Sequence, residues 1–242
     1  LFAVPWNNYV VVGTTDTQIK KINIEPRPIK EEVEFILKNA GRYMKTAPTF
    51  SDIKSVFAGL RPLAAPKNNE KATKEISRHH KVTVSMSGLI SILGGKWTTY
   101  RKMAEDTVNT AQSVAGLQDR ECITHNLPIH GYDYSSNWKN PMHFYGTDIE
   151  KIENLNTEGN SSISEEFFIS KNQIIWSIRN EMAMNLEDVM ARRTRSLFLN
   201  AKESLRIAPK ELEIMAKEMK KDKNWIKNES TNFEKLAKNY IV

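Results

Sequence analysis

Cysteine is almost absent from the sequence, and long apolar runs are absent altogether. The chain of 242 residues has one cysteine, Cys122, so no disulfide can form within it. A lone thiol suits a reducing compartment, and we expect Cys122 to be a buried structural residue. No apolar run approaches the ~20 residues that a membrane-spanning helix needs. The sequence therefore shows neither a disulfide framework nor a helical membrane span.

The common glycine-rich nucleotide motifs are absent as well. A P-loop ending at Lys96 would need glycine at position 90, where Ile90 stands, and Ser or Thr at position 97, where Trp97 stands. No G-x-G-x-x-G dinucleotide fingerprint occurs anywhere in the chain. The chain also opens at Leu1 in a strand-like pattern, which predicts that it is a fragment of a longer protein.

Positive charge is concentrated in the first half of the chain. Residues 1–118 hold 17 Lys and Arg against 10 Asp and Glu, a net of +7. Residues 119–242 hold 18 against 19, a net of −1, and together the halves give the overall +6. The basic half could meet a phosphate, an anionic lipid or a nucleic acid.

Hydrophobic periodicity predicts strands and helices in residues 1–118 and mainly helices afterwards. In the first part the strands are expected at Leu1–Val4, Tyr9–Gly13, Ile53–Leu60, Lys81–Met86 and Leu89–Leu93, and the helices at Lys30–Tyr43 and Thr98–Ala115. Helices are then expected at Lys171–Met184, Leu186–Asn200, Pro209–Lys221 and Asn232–Tyr240, with Asn137–Ser164 irregular. Asn185 is a predicted N-cap, Pro209 a first-turn proline and Gly116 a left-handed helix end.

The stretch "LGGKWTTYR", Leu93 to Arg101, joins a strand to a helix through two bare glycines. Glycine lets a ligand approach the backbone, and a helix start presents unpaired N–H groups at its positive end. A group that carries or develops negative charge is stabilised there by ~0.3–2 kcal/mol. A phosphate or the anionic edge of a reduced flavin would fit, although a plain strand-to-helix turn explains the pattern equally well.

Five motifs in the same order resemble the FAD-dependent glycerol-3-phosphate dehydrogenases, within the D-amino-acid-oxidase-like (DAO-like) flavoproteins. They are "PWNNYVVVGTTDT", "FAGLRPLAAP", "ISRHH", "LGGKWTTYR" and "EDVMARRTRSLFL". The resemblance covers nearly the whole chain and matches the C-terminal portion of that family. It implies an α+β fold: residues 1–118 give a mixed or antiparallel sheet that is part of a DAO-like FAD/substrate domain, and residues 119–242 an all-α C-terminal domain.

The resemblance also implies a role for each residue of the site. Arg61 would contact glycerol 3-phosphate over the flavin as the catalytic and substrate-binding arginine, and Arg78 would be a second substrate arginine. The flavin loop would consist of Gly94, Gly95, Lys96, Trp97, Thr98 and Thr99, and Lys96 would add its charge to the flavin edge or to the substrate phosphate as a substrate-binding residue. Trp97 is expected only to pack, and Thr15 and Asp16 to help shape the site. From the residues alone, a structural ion pair explains Arg61 about as well.

The activity implied is oxidation of glycerol 3-phosphate to dihydroxyacetone phosphate, with hydride passing to FAD and electrons passing on to a quinone. The family also implies an N-terminal FAD-binding segment, a cytoplasmic location that allows peripheral contact with the inner face of the cell membrane, and a homodimer as an option. One alternative is an oxygen-using glycerol-3-phosphate oxidase. Another is a non-enzymatic basic module that binds nucleic acid or anionic membrane.

Two further groups of residues receive structural interpretations. His79 and His80 are neighbours and would point to opposite faces of a strand, so the sequence predicts no metal site. Arg192, Arg193 and Arg195 lie in a half that is slightly acidic overall. We therefore expect a salt-bridged helix face there rather than a nucleic-acid surface.

Overall fold

The computed structural model describes residues 1–61, 79–155 and 159–242. The chain forms two compact units that interleave along the sequence. Unit 1 comprises Leu1–Thr15, Asn23–Ala58 and Gly131–Val242, and unit 2 comprises Asp16–Ile22 and Gly59–His130. The domain boundary between residues 118 and 119 stays a prediction, since unit 1 draws on both sides of it.

The described elements are six short strands and seven α-helices, joined by 3-10 and π turns. The strands are β1 (Phe2–Trp6), β2 (Tyr9–Gly13), β3 (Lys81–Val84), β4 (Ile90–Leu93), β5 (Ser162–Ser164) and β6 (Ile169–Ser170). The helices are α1 (Lys30–Ala40), α2 (Tyr100–Ala115), α3 (Ile149–Glu153), α4 (Lys171–Asn180), α5 (Ser196–Leu199), α6 (Ala201–Met219) and α7 (Lys223–Ala237). The chain is thus helix-rich with small sheets.

Each sheet is a separate antiparallel pair, β1–β2, β3–β4 and β5–β6. In the first pair Trp6 stands opposite Tyr9, and the turn residue Asn7 adopts φ 52°, a left-handed conformation that asparagine tolerates. The predicted hairpins at the first two pairs and their antiparallel pairing are confirmed. Within the described residues, however, the pairs do not join into the larger sheet expected of an FAD/substrate domain.

Unit 1 is built around the apolar faces of α4, α6 and α7. Ile174, Ile207, Leu212, Met215 and Phe233 are buried together in its core. The hairpin β1–β2 lays Trp6 and Tyr9 against the same core. Among the described residues, no helix is long and apolar enough to span a membrane.

The segment Ile53–Leu60 was expected to be a strand, and this expectation is wrong. Its backbone bonds instead to helical parts of unit 1: Val56 N–H donates to the carbonyl of Tyr240 at 2.9 Å, and the Lys54 carbonyl accepts from Ala201 N–H at 3.1 Å. The apolar residues of this segment therefore pack on helices, which do not require a neighbouring strand.

Most of the predicted helices are present, and most of the errors concern where they begin or end. Lys171 begins α4 as expected, with Ser170 and Gln173 forming a capping box, but the helix ends at Asn180 because Met182 adopts φ 58°. Gly116 ends α2 at φ 62°, as predicted. Asn185 caps its helical turn by accepting from Asp188 N–H at 2.8 Å, which confirms the N-cap.

Three helical predictions need correction. The span Leu186–Asn200 is not one helix: a π-helical turn covers Asp188–Arg193, and the chain breaks at Arg195, where φ is 61°. Pro209 lies inside α6, whose N-cap is Asn200. The apolar face of α6 extends continuously from Ala201 to Met215. The free energy gained by burying this face outweighs the backbone hydrogen bond that is lost because proline has no N–H. Helix α7 begins at Lys223, where Asp222 caps it, and not at residue 232.

Candidate functional site

The glycine turn after β4 has the conformation that its sequence predicts. Gly94 adopts φ 73° and Gly95 φ 85°, both in the region that side chains disfavour. A Cβ on Gly95 would lie 2.4 Å from Met103 Sδ and 3.2 Å from the Cβ of His80. The turn therefore packs directly on α2, and a larger residue at position 95 would require the Met103 side chain to shift.

The chain enters α2 through a 3-10 turn at Trp97–Thr99. Both the N–H and the side-chain hydroxyl of Thr99 donate to the Lys96 carbonyl at 3.0 Å. No side chain caps the start of α2, and its first turn contains no acidic residue. With Lys96 exposed beside it, this helix start is electropositive and suits an anionic group.

Trp97 projects from this turn and is 86% exposed. Its only ring contact among the described residues is a stacked arrangement with Tyr100, at 5.6 Å between ring centroids. The role expected for Trp97 was packing, but most of its side chain is exposed. The two rings form an apolar surface beside Gly94 and Gly95.

A charged network supports the turn from the side of α2, and the sequence interpretation missed it. His80 Nε2 lies 2.8 Å from Asp106 Oδ2, and Lys102 Nζ lies 2.9 Å from the other Asp106 oxygen. The hydrogen bonds from Lys102 and His80 hold the pKa of Asp106 below its usual value. The four-residue spacing of Lys102 and Asp106 was the available sequence signal.

Arg61 forms an ion pair with Asp16, in agreement with the structural ion pair that the residues alone allow for Arg61. Arg61 Nη1 lies 3.3 Å from Asp16 Oδ2 within unit 2. Thr15 belongs to unit 1, where its hydroxyl donates to Glu32 at 2.8 Å. Among the described residues, no hydrogen bond or ion pair joins Arg61 to the glycine turn. The predicted substrate arginine Arg78 lies outside the described residues.

The outer face of α2 carries an ion pair beside Cys122 and corrects the expectation for that cysteine. Arg101 Nη1 lies 2.5 Å from Glu105 and 3.7 Å from the sulfur of Cys122. Cys122 is exposed rather than buried. Hydrogen bonds with Thr124 lower the pKa of the Cys122 thiol.

Two of the three arginines in the cluster of unit 1, Arg192 and Arg193, form the predicted salt bridges. Arg192 pairs with Asp188 at 2.8 Å and also contacts Glu187. Arg193 donates to the carbonyl of Glu181 and lies 3.8 Å from its carboxylate. No group of three or more metal-ligating side chains occurs in the part of the chain that the structure describes.

Residues 122–225 match the family model of the C-terminal domain of alpha-glycerophosphate oxidase. The chain is 33% identical over 267 positions to a probable mitochondrial glycerol-3-phosphate dehydrogenase of Dictyostelium discoideum, and the alignment covers 100% of this chain. The mitochondrial glycerol-3-phosphate dehydrogenase of Mesocricetus auratus is 33% identical over 90% of this chain. The predicted resemblance is confirmed.

The fold also matches a solved structure. The glycerol-3-phosphate dehydrogenase of Bacillus halodurans, complexed with FAD, matches 99% of this chain with a TM-score of 0.78 and 26% identity. This chain spans 41% of the Dictyostelium relative, 33% of the Mesocricetus relative and 51% of the Bacillus structure. It therefore corresponds to between a third and about half of such proteins.

Proposed function

We propose that this chain supplies the C-terminal part of an FAD-dependent glycerol-3-phosphate dehydrogenase. The observation that carries the proposal is the match of almost the whole chain to the FAD complex from Bacillus halodurans. The protein would oxidise glycerol 3-phosphate to dihydroxyacetone phosphate. Bound FAD would supply the hydride acceptor.

The glycine turn fits one edge of a flavin. The backbone at Gly94 and Gly95 offers close approach, and the uncapped start of α2 offers N–H groups to a group that becomes anionic. Lys96 adds a positive charge, and Trp97 with Tyr100 adds an apolar ring surface. In this proposal Gly94 to Thr99 hold the cofactor, and the residues of another segment hold its nucleotide portion.

Arg61, Arg78 and Lys96 would bind the substrate. A guanidinium can grip two oxygens of a phosphate or of a developing alkoxide through its planar fork. Arg61 would orient the substrate and stabilise negative charge on its oxygen, which is the main task left to the protein when a cofactor performs the redox chemistry.

A quinone is the electron acceptor we favour. The interval from Arg61 to Arg78 is short, without the large insertion expected of the oxygen-using enzymes. A quinone-linked enzyme would work at a membrane surface as a peripheral protein. If substrate oxidation instead consumes oxygen and releases hydrogen peroxide in equal amounts, the oxidase alternative replaces this part of the proposal.

The substitution Arg61→Lys in the complete protein that carries this chain tests the substrate site. Lysine keeps the charge but loses the fork, and loss of a preorganised donor commonly costs about a hundred- to a thousand-fold in rate. The measurement is kcat/KM for glycerol 3-phosphate with a dye acceptor, with bound FAD quantified. Arg120→Lys is the matched control, since Arg120 is exposed in the same unit. Near wild-type efficiency in Arg61→Lys would show that the substrate site lies elsewhere.

A further inference from the structure

Asp16 and Arg61 are 45 positions apart and meet through an ion pair in unit 2. The segment Asp16–Ile22 groups with unit 2, whereas the chain on both sides of it belongs to unit 1. Asp16 is therefore the first residue of unit 2 after β2 and the turn that follows this strand. Its carboxylate reaches the guanidinium from a separate segment.

The geometry leaves most of the guanidinium available. Arginine carries five N–H donors in a fixed plane, and Asp16 engages Nη1 at 3.3 Å. Among the described residues Arg61 has no other hydrogen-bond partner. The Asp16 side chain is 24% exposed and that of Arg61 39% exposed, so the carboxylate is the more enclosed partner. A fixed acceptor on one N–H restricts rotation of the guanidinium plane, and the other donors have no partner among the described residues.

We propose that Asp16 is a positioning residue that holds the Arg61 guanidinium in the orientation needed to receive an oxyanion of glycerol 3-phosphate. The inference rests on the proposed function. Asp16 does not touch the substrate in this role. Its own negative charge opposes a phosphate nearby, so it contributes nothing to simple attraction of the anion. Its contribution is to the orientation of the group that stabilises the reacting oxygen.

This division of roles predicts a particular kinetic signature for Asp16→Asn. Loss of an orienting contact acts in the transition state, while the repelling charge that asparagine removes acts on substrate binding. We expect kcat to fall about tenfold and KM to stay within about threefold of wild type, because small misplacements of a catalytic group are costly to rate. Bound FAD and the melting temperature should not change.

The experiment uses the complete protein with Asp16→Asn, Asp16→Glu and the control Asp119→Asn, an aspartate in unit 2 that lies far along the chain from both residues. Asp16→Glu keeps the carboxylate and should recover more of kcat than Asp16→Asn, and Asp119→Asn should be indistinguishable from wild type. Unchanged kcat in Asp16→Asn would overturn the inference. A parallel loss of FAD or of melting temperature would also overturn it, since the aspartate would then be structural.

Rescue by free guanidinium gives an independent readout. Arg61→Ala should lose activity and regain part of it in millimolar guanidinium. The guanidinium ion would bind beside the Asp16 carboxylate, in the space left by the Arg61 side chain. In the double variant Asp16→Asn/Arg61→Ala, half-maximal rescue should need about tenfold more guanidinium, because the ion would lose its charged hydrogen-bond partner. Equal rescue in both backgrounds would contradict the inference. Full activity of Arg61→Ala would instead refute the proposed substrate site itself.

Discussion

Glu211 lies on α6 with its side chain fully buried, and neither carboxyl oxygen has a hydrogen-bond partner among the described residues. Its helix neighbours Ile207, Leu212 and Met215 are apolar and buried as well. Burial disfavours the charged form and raises the pKa of Glu211 to about 8. The residue is therefore protonated in the folded protein at neutral pH.

This burial predicts that unit 1 loses stability as the pH rises. Below pH 4.5 the Glu211 carboxyl group is protonated in both the folded and the unfolded chain, so the free energy of unfolding does not depend on its titration there. Between pH 4.5 and about 8 the unfolded chain releases the proton and the folded chain keeps it, which disfavours folding by up to about 1.4 kcal/mol per pH unit. Above about pH 8 the loss of stability relative to pH 4.5 reaches its full size, on the order of a few kcal/mol.

The substitution Glu211→Gln tests this directly by chemical unfolding from pH 5 to pH 9. Glutamine does not ionise, so the difference in unfolding free energy between variant and wild type should grow in favour of the variant as the pH rises. Glu213→Gln, at an exposed position on the same helix, should show no such growth. Parallel pH profiles for Glu211→Gln and wild type would mean that Glu211 has a partner when charged.

Sequence patterns singled out candidate site residues but not the contacts that those residues make. Arg61 and Lys96 could be singled out from their motifs, but the Asp16–Arg61 and His80–Asp106 pairs join segments far apart in the chain. Periodicity describes neighbours within one element and says nothing about such pairs. Cys122 was misjudged for a similar reason, because its exposure depends on how the connector after α2 folds.

At the level of elements, the turn between β4 and α2 depends on two separate properties of glycine. Gly95 and Gly88 both have positive φ, at 85° and 83°. A Cβ would meet Met103 and His80 at Gly95 but only open space at Gly88. The two positions therefore separate the cost of the backbone conformation from the cost of the close contact.

We expect Gly95→Ala to destabilise unit 2 more than Gly88→Ala does. The left-handed conformation costs roughly 1–2 kcal/mol at either position, and overpacking against Met103 adds typically 1–3 kcal/mol at Gly95 alone. Thermal unfolding of both variants measures the difference. Bound FAD in the complete protein should fall only for Gly95→Ala. Equal destabilisation would show that Met103 moves aside without cost.

Element boundaries show why local patterns were not sufficient. Two boundaries were predicted, the end of α2 at Gly116 and the N-cap at Asn185, because each depends on one local conformation. The start of α6 was misplaced because proline is typical of a first helical turn, as at Pro209. The helix begins earlier, at Ala201, because the residues before Pro209 bury an apolar face. Ile53–Leu60 is apolar like a strand, yet its hydrogen-bond partners come from helices.

In the molecule as a whole, N-terminal segments complete the core of unit 1. Phe57 packs edge-on against Phe198 at 5.0 Å between ring centroids, in addition to the backbone bonds of Lys54 and Val56. Tyr9 also contacts Glu166 through its hydroxyl. The helical part alone would lose these contacts.

Residues 118–242 alone should still fold, since the faces of α4, α6 and α7 pack mostly on one another. We expect the melting temperature to lie roughly 10 °C below that of unit 1 in the full chain, because a few kcal/mol of packing and hydrogen bonding are missing. Circular dichroism shows whether the fragment is folded, and its change during heating gives the melting temperature. A disordered spectrum would show that the N-terminal segments are required for folding.

The 242-residue chain by itself should not hold FAD at one per chain. In the proposed function the glycine turn supplies one edge of a flavin site, and the relatives that the chain matches are two to three times longer. Absorbance of the purified chain after incubation with FAD and gel filtration gives the stoichiometry. A yellow protein with nearly one flavin per chain would contradict the idea that another segment is needed.

The most direct test of the account is anaerobic reduction of the flavin in the complete protein that carries this chain. We predict that the purified protein contains FAD and that glycerol 3-phosphate bleaches its flavin absorbance, while glycerol without the phosphate does not. In Arg61→Lys the bleaching should be slower by about a hundredfold or more with the FAD still bound. A protein without FAD, or one whose flavin glycerol 3-phosphate leaves oxidised, would contradict the proposed function.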